Sequence, residues 1–313
     1  MNNTVFMFPG QGSQFVGMGQ DFHDEFVFVR ELFDMVEELC KRHIRRLCFN
    51  GPMEDLTETV NLQPAITAVN LACMEAIARE GVKPSLTAGH SLGEYSALKC
   101  AGAISAEDCF KLVFKRGELM HREACANKGT MAAVMGLDIK AVSAIVEQAQ
   151  SAGIVSVANH NTQNQIVITG SPDGVKQACV LAKEQKARAI PLKVSGAWHS
   201  ALMRGAKEEF AAYLDEFAFN KPECPVVMNV TGELCYGAAE LKDIMSVQLT
   251  SPVKWCDSLL GMQASGTEVF VEIGPKNVLT GMVKKVLDDK ERPCVVHNVQ
   301  DLKSLEAFLK AVA

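Results

Sequence analysis

The chain has 313 residues, 48% hydrophobic and 22% charged, the balance of a globular protein with a sizeable core, and its length suggests about two domains. A net charge of −6 offers no basic surface for nucleic acid, and no apolar run approaches the roughly 18 residues of a membrane span. Eleven cysteines without a C-x-x-C pair fit scattered reduced thiols better than a disulfide or zinc framework, and the seven histidines show no metal-ligand spacing.

The start, MNNTVFMFPGQG, lacks the basic residues and long apolar stretch of a signal peptide, so a cytoplasmic protein is expected. TVFMF (4–8), ended by Pro9-Gly10, reads as a buried strand entering a tight loop. The spacing predicts a helix over 22–43 (FHDEFVFVRELFDMVEELCKRH) and another opened by Pro64 (PAITAVNLACMEAIARE). PSLTAGH then runs as a strand into Ser91, and GEYSALKCA reads as the next helix, an alternation that implies a mostly parallel sheet. From about 130 to 194 the rhythm changes. TMAAVMGL, DIKAVSAIVEQAQ, GIVSVAN, NQIVITG, SPDGVKQACVLAKEQK and ARAIPLKVS give the order β-α-β-β-α-β, the ferredoxin-like pattern. The expected fold is therefore α/β: a large domain with a mostly parallel sheet, residues 1–128 and 195–313, carrying an inserted ferredoxin-like subdomain, 129–194.

Gly89-His90-Ser91-Leu92-Gly93, between strand and helix, has the context of a nucleophile elbow. The spacing Ser91-x-x-Glu94 is equally that of a capping box, which needs no chemistry. FPGQGSQFVGMG (8–19) fits neither the dinucleotide nor the P-loop pattern, but a glycine-rich turn after a strand can aim backbone amides at developing negative charge. A serine needs a base; His199, in SGAWHSALM, lies 108 residues beyond Ser91, and spacing alone does not bring them together. Arg116, in LVFKRGELMH, reads either as a solvated helix residue or as a guanidinium for a substrate carboxylate.

Taken together, FPGQGSQ, LQPAI, GHSLGEYSAL, KRGELM, ANHNTQNQIVITG, AWHSALM, QLTSPVKW and EIGPKNVLTGMVKK, in this order, resemble the malonyl-CoA:acyl carrier protein transacylases of fatty-acid and polyketide synthesis over nearly the whole chain. The resemblance implies a hydrolase-like domain with a ferredoxin-like insertion. It implies Ser91 as acyl-accepting nucleophile, His199 as its base, and the backbone carbonyl of Gln248 in place of an acidic third member. By the same resemblance the N–H groups of Gln11 and Leu92 form the oxyanion hole, Arg116 binds the malonyl carboxylate, and Met120, Gln63, His90 and Asn161 line its pocket. Partners follow as malonyl-CoA and an acyl carrier protein, with no permanently bound cofactor, no metal, no nucleic acid and no membrane. Two departures stand out. Trp198 precedes the histidine where serine or phenylalanine is common, which predicts malonyl over methylmalonyl, and a usual G-P-G reads Gly274-Pro275-Lys276.

The implied reaction is ping-pong acyl transfer through malonyl-Ser91, with activity falling as pH drops through the ordinary histidine pKa of about 6.5. A carrier protein is usually acidic, so docking is sought among Lys41, Arg42, Arg45 and Arg46, or Lys183, Lys186 and Arg188. The competing readings are a serine thioesterase or other acyl hydrolase, a trans-acting polyketide acyltransferase, and a catalytically dead binding module. A chain of this length suits a discrete enzyme; the sequence leaves open whether its carrier serves fatty-acid or polyketide synthesis, the former being the commoner role.

Overall fold

The computed structural model describes residues 3–287 and 293–312; the first two residues, 288–292 and the last, which the readings of the N-terminus and of the domain ends include, lie outside the described residues. In chain order the strands are β1 (Thr4–Phe8), β2 (Leu86–Gly89), β3 (Thr130–Met135), β4 (Val155–Thr162), β5 (Gln165–Gly170), β6 (Arg188–Pro191), β7 (Val226–Val227), β8 (Leu234–Cys235), β9 (Val269–Ile273) and β10 (Val295–Val299). They form a large sheet, β10-β9-β1-β2-β7-β8, parallel except for the short β7–β8 pair, and an antiparallel sheet, β4-β5-β3-β6.

Central β1 is buried along its whole length, so its alternation reaches two cores. Phe6 and Phe8 enter the larger one, with the buried helix Thr59–Arg79. Val5 and Met7 face the other, under Trp255, Leu259 and Val283. The antiparallel sheet packs helices Ile139–Ala149 and Pro172–Glu184 over a third core of Val, Ile and Ala. Asp138 and Ser171 cap these helices through the N–H groups of Ala141 and Gly174. The order of elements over this stretch is the β-α-β-β-α-β one.

Two expected helices differ. The single helix over 22–43 is two, Gln20–Glu25 and Val27–Cys40, separated at Phe26, which is extended at φ −109° and ψ 126°. Both pieces bury residues in one core, so the apolar period runs on across a one-residue break. The second helix begins at Thr59, not Pro64. At its sixth position the proline forgoes only one hydrogen bond, to the Val60 carbonyl, and burial of nearly the whole helix outweighs that loss.

Parallel pairing of β1 and β2, with Phe8 opposite Gly89, brings the loops after both strands out side by side at the carboxyl edge, where α/β sheets hold their ligands. The approach is close. A Cβ on Gly93 would lie 1.9 Å from the Phe8 carbonyl oxygen, so only glycine fits there. The antiparallel sheet is tied across this edge by His160 N–H to the Val253 carbonyl (2.9 Å) and Val253 N–H to the Ala158 carbonyl (2.8 Å). Among the described residues no helix is long and apolar enough to cross a membrane.

Candidate active site

Ser91 sits between β2 and helix Gly93–Cys100 with φ 51°, a left-handed conformation rare outside glycine. The capping-box reading does not hold. The helix begins behind Leu92 without a side-chain cap, and the Ser91 hydroxyl meets His199 and Arg116 instead. Ser91 Oγ lies 2.8 Å from His199 Nε2 and accepts a hydrogen bond from Arg116 Nη2 at 3.1 Å. Glu94 turns inward instead, accepting from the Asn229 backbone N–H (2.7 Å) and from Gln248 Nε2 (2.5 Å).

His199 is also left-handed, at φ 59°, so the two facing side chains both stand on strained backbone. Its Nδ1 faces two carbonyls, Gln248 at 3.1 Å and Ser251 at 2.9 Å. Carbonyls only accept, so Nδ1 carries the proton and Nε2 presents its lone pair to Ser91 Oγ. A hydroxyl aimed at a neutral imidazole is set for nucleophilic attack. Burial, and then the Arg116 charge, push the His199 pKa down to about 3. The sequence-based expectation of titration near 6.5 is therefore corrected: the imidazole stays neutral far into acid.

Arg116, on helix Ala106–Ala126, is 1% exposed. It donates from Nη1 to Gln63 Oε1 (2.9 Å), from Nε to Gln248 Oε1 (3.2 Å) and from Nη2 to Ser91. Among the described residues no carboxylate forms an ion pair with it. A buried guanidinium held only by neutral groups is costly unless an anion arrives. Beside it is a cavity of about 110 Å³ lined by Gln11, His90, Ser91, Leu92, Arg116, Met120, Trp198 and His199. Among the described residues the N–H groups of Gln11 and Leu92 have no acceptor, so both are free for a negative oxygen. The indole of Trp198 fits because residue 196 is glycine; a Cβ there would lie 2.6 Å from its six-membered ring.

Gln63 and Asn161 stand behind the lining rather than in it: Gln63 holds Arg116 and reaches Met120 Sδ (3.1 Å), and Asn161 Oδ1 lies 2.9 Å from His90 Nε2. Asn159, Met131, Leu192 and Val194 complete the lining and were not foreseen. Neither was Ser251, nor Asn229, whose Oδ1 accepts from Ser91 N–H (2.6 Å) while its Nδ2 donates to the Gly89 carbonyl (2.6 Å). Asn229 contacts residues 138 and 140 positions away, so no local pattern marks it. Lys276, in the altered G-P-K, adopts φ 62° and reaches the Gly12 carbonyl with Nζ (3.2 Å), beside Gln11. A larger groove of about 750 Å³, near Ile154, Arg204 and Lys207, contains none of the candidate residues. All eleven cysteines are free thiols, and among the described residues no group of acidic, His and Cys side chains has a metal-holding arrangement.

A strained serine on a strand–helix turn, a neutral histidine and two free amides are the set of groups that acyl transfer on an α/β sheet requires. The acyl transferase domain family matches residues 5–311. The malonyl CoA-acyl carrier protein transacylase of Bacillus subtilis (strain 168) is 43% identical over 91% of both chains. An acyl carrier protein S-malonyltransferase of Vibrio cholerae superposes with TM-score 0.93 at 39% identity, covering 98% of this chain and all of the other. A malonyl-transacylase solved with a type II polyketide synthase acyl carrier protein gives TM-score 0.94 at 35% identity, over 99% of this chain and 100% of that one. The chain belongs to the malonyl-CoA:acyl carrier protein transacylases of the acyl transferase family.

Proposed function

We propose that the protein moves a malonyl group from malonyl-CoA to the phosphopantetheine thiol of an acyl carrier protein through a malonyl-Ser91 ester. His199 Nε2 takes the Ser91 proton as Oγ attacks the thioester carbonyl. The oxyanion rests on the N–H groups of Gln11 and Leu92, each such donor lowering the barrier by roughly 3–4 kcal/mol. His199 then protonates the departing CoA sulfur. In the second half it deprotonates the carrier thiol, whose sulfur attacks the ester and returns Ser91 to its hydroxyl. The two substrates, Ser91 and His199 supply every reacting atom, and the proposed path has no step for a resident cofactor.

The observation that carries this reading is the buried Arg116 guanidinium, unpaired with any described carboxylate and 3.1 Å from Ser91 Oγ. A hydrolase of neutral acyl groups has no use for that charge, whereas a malonyl carboxylate pairs with it in fork geometry. On binding, Nη2 exchanges Ser91 for the carboxylate and leaves the hydroxyl to His199 alone. The carboxylate then occupies the space a hydrolytic water needs. The setting is assigned to the cytoplasm, in keeping with eleven free thiols. The same proposal takes 129–194 as a subdomain roofing the acyl pocket. Initial rates with malonyl-CoA varied at several fixed levels of holo carrier protein test it. Parallel double-reciprocal lines support the two-step path, and intersecting lines count against it.

A further inference from the structure

Glu94 is fully buried, three residues from Ser91, and the reaction above makes no use of it. Its surroundings define what it does. Both oxygens face donors, the Asn229 backbone N–H at 2.7 Å and Gln248 Nε2 at 2.5 Å. It makes no ion pair among the described residues. Gln248 in turn spends every polar group of its side chain: Nε2 donates to Glu94 and to the Ser91 carbonyl (3.0 Å), and Oε1 accepts from Arg116 Nε (3.2 Å). An amide has two donors on one end and an acceptor on the other. Turned over, Gln248 would set its oxygen against Glu94 and the Ser91 carbonyl, and its NH2 against an arginine that only donates.

We infer that Glu94 is a positioning residue for carboxylate recognition: by accepting from Gln248 it fixes that amide with its oxygen on Arg116 Nε, and by accepting from the Asn229 backbone it anchors the residue that clamps Ser91. One buried acid thus orders both the nucleophile and the guanidinium meant for the substrate. The carboxyl reaches Arg116 only through the neutral Gln248 amide, so the arginine is steadied without being paired and stays open to an incoming carboxylate. Burial raises the Glu94 carboxyl to about 7, against the pull of Asn229, Gln248 and Arg116, in keeping with an acid held in place by donors rather than by solvent. The inference rests on the malonyl-transfer reading for the role of Arg116.

The test is Glu94→Gln, the same shape with one acceptor replaced by NH2. That NH2 must face either Asn229 N–H or the Gln248 amide, two donors in contact, and Gln248 or the elbow has to give way. Acylation of Ser91 is followed by intact mass in wild type and variant, with malonyl-CoA and acetyl-CoA side by side, after a thermal melt shows that the variant folds. The malonyl-to-acetyl ratio of kcat/KM is expected to fall about tenfold, as for one lost hydrogen bond to a charged group, with the malonyl-CoA KM rising. A role confined to folding lowers the melting temperature or slows both substrates alike; an unchanged ratio overturns the inference. If Glu94→Gln does not fold, Gln248→Met, which keeps the backbone carbonyl on His199 and deletes the amide, decides by the same ratio. Wild type that takes no malonyl adduct overturns the functional reading itself, a result distinct from a wild type that loads malonyl and a variant that keeps its preference.

Discussion

Replacing Arg116 with alanine separates recognition of the substrate carboxylate from the chemistry of acyl transfer. In the free protein the guanidinium donates to Gln63, Gln248 and Ser91 and is 1% exposed, so a malonyl carboxylate beside it forms a pair shut off from water. Truncating one member of such a pair costs about 2–5 kcal/mol, or roughly 30- to 5000-fold in kcat/KM for malonyl-CoA. An acetyl group has no carboxylate to lose. Its transfer forgoes only the neutral Ser91 hydroxyl contact, a loss of about tenfold or less. The Arg116 charge is also the second-largest cause of the depressed His199 pKa, so its removal moves the acid limb of acetyl transfer upward. Single-turnover acylation with both thioesters, across pH, measures all of this. Equal losses for malonyl and acetyl refute the carboxylate role.

Further outcomes follow from the same geometry. With His199 at about 3, its neutral, proton-accepting form persists to low pH, so kcat/KM for acetyl-CoA, which does not draw on the carboxylate pocket, changes less than about twofold between about pH 7.5 and pH 5. An ordinary histidine would lose about thirtyfold over that range, and observing such a fall contradicts the buried-base account. Trp198→Ala removes the ring packed on Gly196 and raises the methylmalonyl-to-malonyl ratio of kcat/KM by about 10- to 200-fold; an unmoved ratio shows that the indole does not set acyl size. Gly93→Ala places a Cβ 1.9 Å from the Phe8 carbonyl and lowers the melting temperature by more than about 5 °C, whereas an unchanged melt contradicts the close strand–helix approach.

Much of the architecture was legible because it is local. The alternating strands and capped helices between 130 and 191 carry their periods, Asp138 and Ser171 mark two helix starts, and Gly89 and Gly93 flank a turn whose strand and helix are both readable. The break at Phe26 was not, because one extended residue leaves the apolar stripe of both helices facing the same core. Pro64 misled in the opposite sense: a proline tolerated inside a buried helix looks, in sequence, like the start of one. The meeting of Ser91, His199 and Arg116 was open from spacing alone and came only from resemblance. What neither supplied is the layer behind them. Asn229, Glu94 and the Gln248 side chain act across 135 to 157 residues through hydrogen bonds that leave no periodic trace. The pKa of His199 was missed for the same reason, since burial and the nearby Arg116 are properties of the fold.

The most direct measurement is the intact mass of the protein after incubation with malonyl-CoA alone, beside a Ser91→Ala control, followed by addition of holo carrier protein. The account predicts a single malonyl adduct that is missing in the control and is discharged onto the carrier faster than it is lost to water. Steady release of CoA without an adduct, or an adduct that persists in the control, contradicts it.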